Sequence, residues 1–255
     1  FESAKKGARL TNSKAFDKVG DLVKGANIIF ITTNDDEISK VCNLLVEQDV
    51  LTSDQILVHM SGAASSKILK KAKQKGCFVY SLHPLQAFAE VNKAVADLEN
   101  TVFSIEGDIE KIDMIENILK VTGNKYFKLT SEQKSIYHAS ACVVSNYLVT
   151  LMDYGLSLFE SIGIDKGDGY KALYPLIEGT VRNIYDLGIE AALTGPIARG
   201  DIGTINKHIE SLKTIVPDKL ETYKTLGLMT LAVAERKKLK SQDKILMLQN
   251  KLKEV

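Results

Sequence analysis

Lys134 and His138 stand four residues apart in SEQKSIYHASACVVSNYLVTLMDYGLSLFESIG, residues 131–163, a stretch with no proline and no glycine before Gly155. On a helix that spacing puts both side chains on one face. Ala141 and Ser145 continue the stripe, and Asn146 lies roughly a quarter-turn round from His138 at about 100° per residue. Imidazole is the side chain that changes charge near neutral pH, which suits proton transfer. A lysine beside it favours the neutral ring through like-charge repulsion. The other faces carry Ile136, Val143, Val144, Leu148, Leu151, Met152, Leu156 and Phe159, enough apolar surface to bury most of the helix. Buried lysine, histidine and asparagine are costly without partners. We read this helix as a wall between two halves of the protein, its polar stripe facing a cleft. Packing of an ordinary helix start would explain the pair without chemistry.

Four more clusters could hold a ligand. Thr32-Thr33-Asn34-Asp35, His59-Met60-Ser61-Gly62-Ala63 and Ser81-Leu82-His83-Pro84-Leu85-Gln86 each follow an apolar run. In an open parallel sheet, ligands collect outside the carboxyl ends of the strands. The small residues at 61–63 lead into a helix start, whose free N–H groups favour anions. Each cluster also has a plain explanation: a helix cap at Asn34-Asp35, a core histidine at His59, a strand-ending turn at His83-Pro84. The fourth cluster is LTGPIARGD, Leu193–Asp201. There Thr194 and Arg199 sit on a glycine- and proline-fixed loop, Asp201 is placed to cap the next helix, and Arg199 could fork onto a carboxylate or phosphate.

The elements that must position these groups follow from periodicity. Ser13 is expected to cap a helix reaching Lys24, after a weakly patterned start. Apolar runs at 27–31, 56–58, 77–80 and 101–105 read as strands covered on both faces, with a short edge strand at 126–128. Helices between them are expected at 34–48, 65–75 and 108–121. From Ser131 the strand signal ends, and helices are read at 131–162, 168–187, 201–215, 217–239 and 241–253. The expected architecture is an α/β Rossmann-like parallel sheet, doubly wound, followed by an all-α C-terminal domain. The expected boundary is at 129/130, giving domains 1–129 and 130–255.

The 255 residues carry a net charge of +1 with acids and bases interspersed, which argues against a nucleic-acid surface despite the basic run around Arg236–Lys240. No uninterrupted apolar run approaches the ~18 residues of a bilayer span, so no membrane partner is expected. Cys42, Cys77 and Cys142 form no C-x-x-C pair and read as buried thiols of a reducing compartment, taken as the cytoplasm. No metal-ligand spacing occurs, and no metal is expected.

Taken together, HxSGA at His59–Ala63, LHPLQAFA at Leu82–Ala89, KxxYHASACVxSNYL at Lys134–Leu148 and LTGPIARGD at Leu193–Asp201 resemble an uncharacterised bacterial family. Its members pair a Rossmann-like domain with a helical C-terminal domain of unknown function. The family is similar in plan to pyrroline-5-carboxylate reductase, β-hydroxyacid dehydrogenases and prephenate dehydrogenase. The resemblance implies NADP or NAD as cofactor, bound at a strand–GxGxxG–helix unit. No GxGxxG occurs near this N-terminus, so the sheet is expected to lack its first β-α-β unit of about 30 residues. Thr33-Asn34-Asp35 stands where the family tends to show V-P-D. β-Hydroxyacid dehydrogenases carry lysine and asparagine four apart on the first helix of the helical domain; Lys134 and His138 resemble that pair, with the second position changed. His83-Pro84 resembles the substrate-facing histidine-proline of prephenate dehydrogenases. The loop 194–204 is similar in place to the carboxylate-binding loop of pyrroline-5-carboxylate reductases.

The resemblance implies a dehydrogenase or reductase passing hydride between nicotinamide and a small carbonyl, imine or alcohol carbon. Lys134 or His138 would move the proton. Ser61, His83, Gln86 and Asn146 would orient substrate, with Thr194 and Arg199 holding its anionic group. Thr32, Asn34, Asp35, His59 and Gly62 would line the cofactor. A homodimer through the helical half is expected, as in 6-phosphogluconate dehydrogenase-like C-terminal domains. The other reading is a dinucleotide-sensing or dimerising module without catalysis.

Overall fold

A computed structural model describes residues 1–254. It divides into two compact units, the first Phe1–Leu148 and the second from Val149 onward. The first unit is a five-stranded sheet in the sequential order β1 (Ile28–Ile31), β2 (Ile56–His59), β3 (Phe78–Pro84), β4 (Phe103–Gly107), β5 (Tyr126–Lys128). Helices α1 (Glu2–Leu10), α2 (Val19–Val23), α3 (Asp35–Glu47), α4 (Lys70–Gln74), α5 (Val91–Ala96), α6 (Ile112–Val121) and α7 (Lys134–Val144) accompany it. Alternate residues of the central strands point to opposite faces, and both faces are covered. Ile29, Ile31, Leu57 and Val79 pack with Ile38, Cys42 and Leu45 of α3 and Ala72 of α4. Ile56, Val58, Tyr80, Phe103 and Ile105 pack with Ile115 and Leu119 of α6.

The sheet is mostly parallel, with one departure from the expected pattern. β1–β2, β2–β3 and β4–β5 are parallel, whereas β4 runs antiparallel to β3. The reason is in the connection. A parallel return needs a crossover helix long enough to span the sheet, and residues 85–102 offer only α5 and a 3-10 turn. The chain comes back beside the strand it left, with Leu85 N donating to Val102 O.

Three further expectations are corrected at the level of elements. The helix capped at Ser13 reduces to the single turn of α2, because within its apolar stripe only Val23 is buried while Leu22 stays exposed. The weakly patterned start is helical, as α1, with no buried residue. The long helix from Ser131 is two helices, α7 and α8 (Asn146–Ser161), meeting at Ser145, whose φ of −108° and ψ of −69° leave the regular helical values.

The second unit holds most of α8 and then α9 (Lys166–Leu187), α10 (Ile189–Ala192), α11 (Pro196–Arg199), α12 (Ile202–Ile215), α13 (Leu220–Lys237) and α14 (Gln242–Lys253). Its core joins Ile197, Ile205, Ile209, Leu231, Ala234, Leu248 and Leu252. Asp201 caps α12 as expected, accepting from Thr204 N at 3.0 Å and from its hydroxyl at 2.7 Å. The helix face expected to be buried is instead open. No residue of α8 is buried, and Ile136, Val143, Val144, Val149 and Leu151 are all exposed. An 18-residue window within 134–161 reaches the mean hydropathy of a membrane span. Asn146, Thr150, Asp153, Ser157 and Glu160 recur there every three or four residues, which makes α8 amphipathic.

Candidate functional site

The parallel register sets Ile31 and His59, the last residues of β1 and β2, side by side with Ser81 in the middle of β3. β3 then continues to His83, whose register partner on β4 is Ser104. This row is the floor on which α7 lays its polar face.

Lys134 is 1 % exposed, and its ammonium donates to Ser61 O at 2.9 Å and Ser81 Oγ at 2.8 Å. Burial lowers its pKa to about 8, with the carboxylates of Glu106 and Asp35 acting in the opposite direction. Glu106 fixes the start of α7: it is 4 % exposed and accepts from Ser66 N at 2.6 Å, Ser66 Oγ at 2.9 Å and Ser131 Oγ at 2.7 Å. Ser61 is the knot of the turn after β2. Its amide donates to His59 Nδ1 at 3.2 Å and its hydroxyl donates to Asp35 Oδ2 at 2.6 Å. His59 is fully buried, and desolvation holds its pKa near 4. It acts through the turn it supports.

His83 and His138 meet over Gly62. Their ring centroids are 6.2 Å apart at an interplanar angle of 78°. A Cβ built on Gly62 would stand 2.5 Å from His138 Cδ2 and 2.8 Å from His83 Nε2, so only glycine lets both rings settle on this turn. Burial, then the positive charges of Lys134 and His138, push the His83 pKa down to about 4. The ring is neutral at neutral pH. A pocket of about 210 Å³ opens beside the pair, lined by His83, Gln86, His138, Cys142, Ser145 and Asn146 among others. The Gln86 amide is held from behind, donating to Ala94 O and accepting from Thr101 Oγ1.

Asp35, His59, Ser61, Gly62, His83, Gln86, Lys134, His138 and Asn146 therefore form one neighbourhood in the first unit. Thr32 and Asn34 are exposed after β1, and Asn34 occupies the N-cap position of α3 without a side-chain cap bond. Thr194 and Arg199 belong to the second unit. Thr194 lines a groove between α9, α10 and α13, and Arg199 is exposed at the end of α11. Cys142 is corrected from a core thiol to a half-buried pocket residue, its sulfur 3.8 Å from His138 Nδ1; Cys42 and Cys77 are buried as expected. Tyr137 and Glu106 were missed. Tyr137 is three residues after Lys134 and Cys142 four after His138, so the same helical spacing that singled out the pair would have found both. Glu106 carried no local signal, being one residue of an apolar strand.

The sequence profile of a domain of unknown function, DUF2520, matches residues 101–230, just over half the chain. This chain belongs to the DUF2520 family. A Rossmann-like domain profile matches residues 2–84 of the same DUF2520 protein. No curated protein matches it. Among solved structures, a protein from Thermotoga maritima is similar at 27% identity and a TM-score of 0.76, over 93% of this chain and 89% of that one. A Bacteroides fragilis protein named as a candidate NADP oxidoreductase is similar at 21% identity and a TM-score of 0.67, over 92% and 85%. The pyrroline-5-carboxylate reductase of Coxiella burnetii shares the fold at 12% identity and a TM-score of 0.56, over 92% and 84%.

Proposed function

We propose that this DUF2520 protein is an NADP- or NAD-dependent oxidoreductase acting on a small carbonyl, imine or alcohol that bears an anionic group. The observation that carries the reading is the pair of imidazoles held over Gly62 beside a pocket, with a buried ammonium behind them. Fold likeness to a candidate NADP oxidoreductase and to a pyrroline-5-carboxylate reductase supports the cofactor class.

The residues present fit one end of a dinucleotide. Thr32 and Asn34, exposed after β1, offer the hydroxyl and amide groups that suit a ribose or a carboxamide. The first turn of α3 carries Asp35, Asp36 and Glu37, which disfavour a diphosphate at that helix start. Thr32, Asn34, Asp35 and the Ser61–Gly62 turn supported by His59 would therefore hold the nicotinamide and its sugar. The group, when bound, supplies or accepts the hydride. In this reading His138, half-buried on the pocket wall, gives or takes the accompanying proton. His83, Gln86 and Asn146 orient the substrate. Lys134 keeps positive charge behind the pocket, biasing His83 toward the neutral ring.

The test is turnover. NADPH oxidation should appear with a panel of small keto acids and cyclic imines, and His138→Ala should lower kcat/KM by 10²–10³-fold or more. A wild-type protein that binds NADPH and oxidises it with none of the panel would favour the second reading, a sensing or dimerising module. One observation favours that alternative: the apolar faces of α8 and α9 are open.

A further inference from the structure

Tyr137 projects from α7 between Lys134 and His138, and its hydroxyl lies 2.7 Å from His83 Nδ1. The two rings meet edge-on, with centroids 5.6 Å apart at 82°. Phe127 of β5 closes on the phenol from another side, again edge-on at 5.6 Å. The tyrosine is thus wedged between a strand residue and the histidine, with little freedom to swing. Burial pushes the phenol pKa up, Ser104 acting in the opposite direction, so the hydroxyl keeps its proton at neutral pH.

A neutral imidazole carries one N–H, and which nitrogen holds it is set by the partner of the other. Here the partner of Nδ1 is a phenol. A phenol O–H is a better donor than acceptor, and an unprotonated imidazole nitrogen is a strong acceptor. The proton of the contact therefore sits on the tyrosine oxygen, and the ring proton of His83 is displaced to Nε2. That nitrogen is the one that lies over Gly62, close to His138.

We propose that Tyr137 is a positioning residue that locks His83 as the Nε2–H tautomer, making His83 a neutral hydrogen-bond donor that selects ligands carrying an acceptor oxygen. This rests on the pocket beside His83 and His138 being the substrate site. It divides the work between the two imidazoles. His83 recognises a carbonyl or carboxylate oxygen and does not act as base, which leaves proton transfer to His138.

The test is nitrogen NMR on the whole chain labelled with ¹⁵N-histidine, at neutral pH and without ligand. The four histidines allow assignment by the signal that His83→Gln removes. His83 should show a protonated Nε2 and a bare Nδ1, and in Tyr137→Phe its two nitrogen shifts should move toward the averaged values of mixed tautomers. A protonated Nδ1 in the wild type overturns the proposal, whether or not the variant folds. So does an unchanged tautomer in a Tyr137→Phe protein that melts like the wild type. Neither result touches the oxidoreductase reading, since no cofactor or turnover enters the measurement. A protein without turnover would in turn leave the tautomer assignment intact.

Discussion

Gly62 is the residue on which the site is most sensitive to a single methyl. A side chain there must displace two rings that are themselves tied down, His83 by Tyr137 and His138 by its own helix. Gly62→Ala should cost about 1–3 kcal/mol as overpacking, read as a lowered Tm, and should perturb the ¹⁵N signals of both histidines. Wild-type stability with unmoved histidine signals would show the turn to be looser than described. Two imidazoles, His59 and His83, predict an acid limb. His59 and His83 have folded-state pKa values near 4 against an unperturbed value near 6.5, so the unfolded chain binds more protons between those limits. Stability should be intact above about pH 6.5 and fall as pH drops toward 4, by the order of 2 kcal/mol for buried His59 and less for the partly exposed His83. Urea midpoints that stay level through that window would contradict the burial of both rings. At this scale the sequence was informative where chemistry and period coincide. Lys134 and His138 stood out because they are four apart, whereas Glu106 was invisible because its partners, Ser66 and Ser131, come from distant segments.

Elements were legible where a run of apolar residues had turn signals on both sides. All five strands, α3, α6 and most of the later helices lie close to where periodicity put them, because strand burial on two faces leaves an unmistakable pattern. Direction was less legible. The reversal at β4 depends on the 85–102 connection staying on one edge, and hydrophobic pattern does not encode strand sense. The break at Ser145 was hidden for a related reason: the apolar period runs straight through it, and only backbone angles reveal the step. Caps are the element-scale feature that the sequence reads best. Asp201 serves two groups of Thr204 at the start of α12, so Asp201→Ala should lower stability by about 1 kcal/mol, and Asp201→Asn by less. Thermal melts of the two variants test this; equal melts for wild type and alanine would mean that the short α11 turn before it, ending at Gly200 with φ of 68°, holds the helix start unaided.

At the scale of the molecule, the open apolar surface of the helical half is the feature that most needs an explanation. Tyr185 is 90 % exposed, Val149 70 % and Leu176 67 %, with Val181, Leu187, Ile189 and Met229 exposed as well. A single chain leaving that many large apolar side chains in water is the usual mark of an interaction surface. The sequence predicted burial for the α8 face, and burial against a second copy would satisfy the same hydrophobic pattern without any change in the fold. We therefore propose a homodimer through this surface, for which about 800 Å² per partner is the ordinary requirement. Light scattering at micromolar concentration should give a mass near twice the 28.1 kDa of the chain. Val149→Lys combined with Leu176→Glu, both on exposed positions that no core contact uses, should yield a folded monomer with an unchanged circular dichroism spectrum. An exposed helix position tolerates lysine or glutamate at little cost, whereas a desolvated interface does not. A wild-type protein that scatters as a monomer would remove the second copy as the occupant of this surface, and with it the reason the helix pattern is apolar on so wide an arc.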